Sequence, residues 1–234
     1  MEEKDTIVKD SLELVKTVTE ETTEKTLSII ELITSGGVGG NLVMGTIGIL
    51  SIFAVYILIE RYIAITKASK EDAGFLKSIQ NFIESKDIEA AKTLCRNTDS
   101  PIARMIEKGV NRIDKPMTDI SAAIENQGKL EVFKMENNLA NLATISGAAP
   151  MLGFLGTVIG MIVAFHEMAS AGGNIDVAML SQGIYTAMVT TVAGLVVGII
   201  AFIAYNYLVS KVDKVIFMLE AKTTEFLDLL HHTK

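Results

Sequence analysis

Residues 142–161 read Leu142-Ala-Thr-Ile-Ser-Gly-Ala-Ala-Pro150-Met-Leu-Gly153-Phe-Leu-Gly156-Thr157-Val-Ile-Gly160-Met161, without a single charged side chain. The uncharged run extends to Phe165, and two more follow the same rule, residues 42–59 and 183–205. All 49 charged side chains of the 234-residue chain lie outside these three stretches. About 20 apolar residues in a helix cross the ~30 Å hydrocarbon core of a bilayer. The spacing therefore predicts three transmembrane helices. An ordinary soluble enzyme is not expected, and a membrane β-barrel is excluded, since no ten-residue segments of alternating hydropathy occur.

Seven segments follow. Residues 1–41 hold an amphipathic helix and a glycine-rich break, Ser35-Gly36-Gly37-Val38-Gly39-Gly40. Residues 42–60 form the first span, 61–143 a soluble helical insertion, 144–165 the second span, 166–182 a short loop, 183–205 the third span, and 206–234 a helical tail. In the insertion, Phe75, Ile79, Phe82 and Ile83 recur at helical spacing, and Ile88, Ala91 and Leu94-Cys95 suggest a second short helix. Ser100-Pro101 is a helix start, with serine as N-cap and proline in the first turn. From Met117 one long helix is expected to run into the second span. The tail carries a stripe of Val209, Val212, Ile216, Leu219, Phe226, Leu229 and Leu230, for which neighbouring copies of the chain are the expected cover.

Lys and Arg set the orientation. Arg61, Lys67 and Lys70 follow the first span, Lys129 and Lys134 precede the second, and Lys211 and Lys214 follow the third, whereas residues 166–182 have none. The N-terminus is thus expected outside the cytoplasm, with the insertion and tail inside it. The opening Met1-Glu2-Glu3-Lys4-Asp5 is acidic where a secretory signal is basic, so no cleaved signal is expected. A net charge of −7, without a basic stripe, argues against a nucleic-acid partner. Cys95, the only cysteine, permits no internal disulfide and reads as a buried hydrophobe. His166 and the His231-His232 pair lack ligand partners at metal-binding spacing, so no metal is expected. No phosphate loop is present, so ATP hydrolysis is not expected. The chain reads as a non-enzyme without cofactor.

Within the spans, Gly153, Gly156 and Gly160, with Gly194 and Gly198, form small-residue edges suited to close helix packing. Pro150 frees the Ser146 carbonyl and marks a kink or hydration point. Thr157 lies on the glycine edge. Thr186 and Thr190 share one helix face with Thr191 beside it. Together these hydroxyls suit a hydrated path. Titratable groups in membranes are rare and kept for ion pathways. No carboxylate, Lys or Arg occurs here at hydrocarbon depth, so any proton-carrying acid must come from another chain.

The stretch at 142–161 resembles the "ATI…APLLGLLGTVxGM" signature of the ExbB/TolQ/MotA family of proton-channel proteins. Gln182-Gly-Ile-Tyr-Thr-Ala-Met-Val-Thr-Thr-Val-Ala-Gly-Leu195, with Tyr205-Asn206, is similar to that family's "GIxxALxTTxxGLxxAIPAxxxYN" signature. The chain itself reads as an all-α membrane protein of three transmembrane helices, two of which run on as long cytoplasmic helices, and the resemblance agrees with this. It also implies a homo-oligomeric, pentameric ring in a bacterial inner membrane, N-terminus periplasmic and C-terminus cytoplasmic. The ring would enclose an ExbD-like single-span partner that supplies the membrane Asp, with protons as coupling ion. The implied job is to energise a TonB-like protein for transport across the outer membrane; the ExbB branch fits best, since MotA-type proteins have an extra span. The family's polar threonines match Thr157 and Thr191. Where the family often has a Glu this chain has Thr186, which leaves Thr186 and Thr190, with water, to carry protons. The proline usual late in the third span is also missing. A TolQ-like or motility motor, a scaffold without an ion pathway and a solitary carrier are the competing readings. Inverted repeats, usual in carriers, are not seen.

Overall fold

The structure is a computed structural model describing residues 37–70, 74–170 and 177–233. The amphipathic helix expected over residues 1–34 lies outside the described residues. Among those described there are seven helices and no strand: α1 Gly37–Ala68, α2 Phe75–Glu84, α3 Ile88–Asn97, α4 Pro101–Val110, α5 Met117–Glu136, α6 Leu139–Ser170 and α7 Val177–Thr233. Three stretches are long and apolar enough to cross a membrane, one each in α1, α6 and α7. They are uncharged over the needed length, and their outward faces carry large apolar side chains such as Ile52, Phe154, Ile162 and Phe202.

α1, α6 and α7 pack on one another, α6 against α7 most extensively. Beyond the apolar stretches α7 continues without interruption, and α2, α4 and α5 pack on its extension while α3 packs on α2 and α4. The capping chemistry in this part is local. Asp87 accepts a bond from the Ala90 amide at 3.0 Å and starts α3. Ser100 accepts from the Ala103 amide at 3.2 Å, with Pro101 in the first turn, and starts α4.

Three expectations are corrected here. The glycine-rich break is not a break over residues 37–40, which already belong to α1. A side chain at Gly39 would meet Ile159 of α6 at 2.8 Å, so this glycine lets the two helices approach. The helix from Met117 does not run unbroken into the second span. It ends at Glu136, and α6 starts afresh after Asn137-Asn138. Asn138 has φ 65°, a left-handed value that asparagine tolerates better than most residues. Its carbonyl then accepts from the Leu142 amide, in the first turn of α6. Finally, part of the tail's apolar stripe is covered by the same chain: Val212, Leu219, Phe226 and Leu230 are buried, whereas Val209, Ile216 and Leu229 are half-buried. Leu208, Val212, Val215, Leu219, Phe226 and Leu230 are buried together with Ile79, Ile106, Ile120 and Ile124 of the insertion. Each such side chain contributes ~1.5–3 kcal/mol when fully buried, so the tail is tied to the insertion inside one protomer.

Candidate functional site

Small residues on α6 and α7 recur at matching intervals. Ala149, Gly153, Gly156, Gly160 and Ala164 face Gly183, Ala187, Thr190, Gly194 and Gly198 across an antiparallel seam. A side chain at Gly183 would meet the Ala164 Cβ at 2.6 Å, and one at Gly160 the Ala187 Cβ at 2.8 Å. At Gly156 it would collide with the Thr190 hydroxyl, and at Gly153 it would meet the Thr190 carbonyl at 2.9 Å. At Gly194 it would stand 2.5 Å from the Ala149 carbonyl oxygen. The glycines therefore bring the two backbones together, and at Gly194 the three atoms nearest to an added Cβ are all α6 backbone.

Pro150 sits inside α6 and is matched by Gly198 on α7. A Cβ on Gly198 would lie 2.5 Å from the proline Cγ and 3.0 Å from the Ser146 carbonyl oxygen. The carbonyl that Pro150 deprives of its helical donor thus faces the seam.

The threonines divide. Thr190 is 2% exposed, its hydroxyl donating to the Ala187 carbonyl at 2.7 Å beside the Gly153 carbonyl. Thr186 is buried one helical turn earlier. In the protomer Thr190 is a seam residue. Thr157 and Thr191 are half-buried and lie at its edge. The Thr191 hydroxyl donates to the Gly153 carbonyl at 2.9 Å, bridging the helices. The Thr157 hydroxyl donates to the Phe154 carbonyl of its own helix at 2.6 Å. Each oxygen keeps lone pairs that accept a further bond. The edge thus presents two adjustable hydroxyls among apolar neighbours and carries no ionisable group of its own.

A polar network lies just beyond the apolar stretches. Glu131 of α5 is 2% exposed and accepts from Arg104 at 2.8 Å, Lys134 at 2.9 Å and Gln127 at 2.8 Å. Burial pushes its carboxyl up, but the Arg104 and Lys134 bonds outweigh this and hold it below the ordinary 4.5. Arg104 reaches on to Asp99 at 2.9 Å, and Asp99 accepts from Lys67 of α1 at 2.6 Å. The buried Arg61 of α1 donates to the Lys134 carbonyl at 2.9 Å and to Glu60, whose other oxygen is 3.4 Å from the Asn138 amide. The network joins α1, α4, α5 and the start of α6. Sequence reasoning used Arg61, Lys67 and Lys134 only as orientation charges. Their partners are up to 73 residues away, where periodicity carries no signal. The thiol of Cys95 is buried and pushed up to about 12 by burial and by Glu107 nearby. Among the described residues no cluster of His, Cys, Asp and Glu fit to hold a metal occurs.

A family model described as the MotA/TolQ/ExbB proton channel family matches residues 97–221. A putative biopolymer transport protein ExbB homolog of Methanothermobacter thermautotrophicus is 27% identical over 187 residues, which make up 80% of this chain and 64% of that protein. The Tol-Pal system protein TolQ of Pseudomonas aeruginosa is 25% identical over 215 residues, 87% of this chain and 93% of its own length. The biopolymer transport protein ExbB of Helicobacter pylori is 40% identical over 79 residues, 34% of this chain and 54% of its own. The chain thus spans less than two thirds of the Methanothermobacter protein and just over half of the Helicobacter one.

Proposed function

Because the chain belongs to the MotA/TolQ/ExbB proton channel family, we propose that it is an ExbB-like subunit of a proton-driven motor in a bacterial inner membrane. In this reading several copies ring a single-span, ExbD-like partner, and the assembly drives a TonB-like protein. The observation that carries the reading is a pairing of presence and absence. The three uncharged stretches offer hydroxyls at the α6–α7 edge and no carboxylate, so the titrating group belongs to the partner.

The mechanism follows from the edge. A potential of 100 mV supplies about 2.3 kcal/mol per proton. A protein captures it when protonation changes how well a carboxylate fits its surroundings. A neutral partner acid donates its proton into the lone pairs of Thr157 or Thr191 and tolerates the apolar wall beside them. Once ionised it needs donors instead. The two hydroxyls supply them by turning away from the Phe154 and Gly153 carbonyls. Thr190, held in the seam, positions its neighbour Thr191.

Thr157→Val and Thr191→Val keep shape and remove the hydroxyl. Both are expected to assemble normally and to lose TonB-dependent uptake. Wild-type uptake in both variants contradicts the reading. A TolQ-like role is the second reading, favoured by the near-complete overlap with the Pseudomonas protein. It predicts that deleting the gene leaves TonB-dependent uptake intact.

A further inference from the structure

Lys211 of α7 stands 4.2 Å above the Tyr62 ring of α1 and 5.2 Å from the ring of Tyr207. The two tyrosines stack with centroids 6.4 Å apart and planes 16° from parallel. Thr66 reaches the lysine ammonium at 3.5 Å. Tyr62 and Thr66 are four apart on α1, as Tyr207 and Lys211 are on α7, so each pair shares a face. The four side chains form one cluster where α1 meets α7. Arg61 and Lys67 nearby are taken up by Glu60 and Asp99. Lys211 differs, since among the described residues no carboxylate comes within ion-pair distance of it. The platform is open, with Tyr62 43% and Tyr207 50% exposed.

Its depth is equally telling. Tyr62 and Tyr207 each lie only a few residues past the end of an uncharged stretch, on the side of the insertion. That is the level of the lipid headgroups, where tyrosines anchor and lysines reach outward. We propose that Lys211, Tyr62, Tyr207 and Thr66 form a binding site for the phosphate of an anionic phospholipid. The ammonium supplies the charge and the phenol and threonine hydroxyls supply donors. The rings hold the lysine in place and cover the first glycerol carbons. Such a lipid bridges α1 and α7 without contact to the threonine edge, so the site stands independently of the motor reading.

The test uses the full chain in a neutral detergent and follows thermal unfolding during titration with phosphatidylglycerol, phosphatidylcholine or inorganic phosphate. Phosphatidylglycerol is expected to raise the melting temperature, and the other two are not. Lys211→Gln should move the phosphatidylglycerol midpoint about fivefold higher, the worth of one basic residue near an anionic surface. Lys211→Arg should keep it, and so should Lys214→Gln, which makes the same change in net charge. The double variant Tyr62→Phe, Tyr207→Phe keeps both rings and the lysine. It is expected to weaken the response as well, and it reads the site if Lys211→Gln does not fold. A wild-type midpoint in Lys211→Gln, or in the double variant where Lys211→Gln does not fold, overturns the proposal. So does an equal effect of Lys214→Gln, of phosphatidylcholine or of inorganic phosphate. These would show, in turn, diffuse charge, plain solvation by lipid, or a free-phosphate site.

Discussion

Replacing Gly194 by alanine tests the seam with one methyl group. The added Cβ would lie 2.5 Å from the Ala149 carbonyl oxygen, 3.0 Å from the Gly153 Cα and 3.1 Å from the Gly153 nitrogen. All three are backbone atoms, so no side chain can swing aside. Relief requires α6 and α7 to part by about 1 Å, to restore ordinary carbon–oxygen contact. Overpacking of this kind costs about 1–3 kcal/mol. The same movement stretches the 2.9 Å bond from Thr191 to the Gly153 carbonyl beyond useful length. Losing it adds about 1 kcal/mol. Alanine returns up to about 1 kcal/mol because it favours helix over glycine. The net expectation is a loss of about 2 kcal/mol. Gly147→Ala is the control: nothing lies within 4 Å of its added Cβ. It should gain up to about 1 kcal/mol from propensity alone. Equilibrium unfolding in mixed micelles, followed by far-ultraviolet circular dichroism, measures both. Equal stability changes in the two variants would refute the close-packed seam.

Three further outcomes are expected. Glu131 titrates below its ordinary value in the folded chain, so its contribution is complete above pH 4.5 and is lost as the pH falls through the lowered value. Arg104→Met should therefore destabilise by about 2 kcal/mol at pH 7, less than for a fully enclosed pair since Arg104 touches solvent. The gap from wild type should narrow in unfolding measured below pH 4.5. Asn138→Ala forces alanine into the left-handed region and should lose about 1 kcal/mol, whereas Asn138→Gly should stay within about 0.5 kcal/mol of wild type in the same unfolding assay. The Cys95 thiol, pushed up to about 12 and buried, should resist a maleimide at pH 7.5 in the folded protein. Intact mass should show one adduct only after denaturation.

The membrane-crossing part was legible because hydrocarbon permits few substitutes for an uncharged helix. The packing glycines were legible too, from their spacing. What spacing concealed was which threonines they enclose. Thr190 follows the same intervals on α7 as Gly156 does on α6, and comparing the two series would have placed it in the seam. The tail's stripe was correctly apolar, but its partner was unreadable. A helix face announces that it is buried and not what buries it, and here Ile106, Ile120 and Ile124 of the same chain do so. The Asn137-Asn138 junction was missed because two asparagines within a helical pattern cost little locally. Only the φ of Asn138 reveals the turn. The Glu131 network depends on contacts between α4 and α5 and from α1, none of which periodicity records.

The central claim is that this chain shapes a proton path whose titrating acid belongs to a partner. Proton flux into liposomes under an imposed potential tests it most directly, comparing the chain alone with the chain co-reconstituted with a single-span partner carrying a membrane Asp. The account predicts no flux above empty liposomes for the chain alone, and flux with the partner that falls when Thr157 and Thr191 are both changed to valine. Proton flux through the chain alone, or flux with the partner that ignores both threonines, would contradict it.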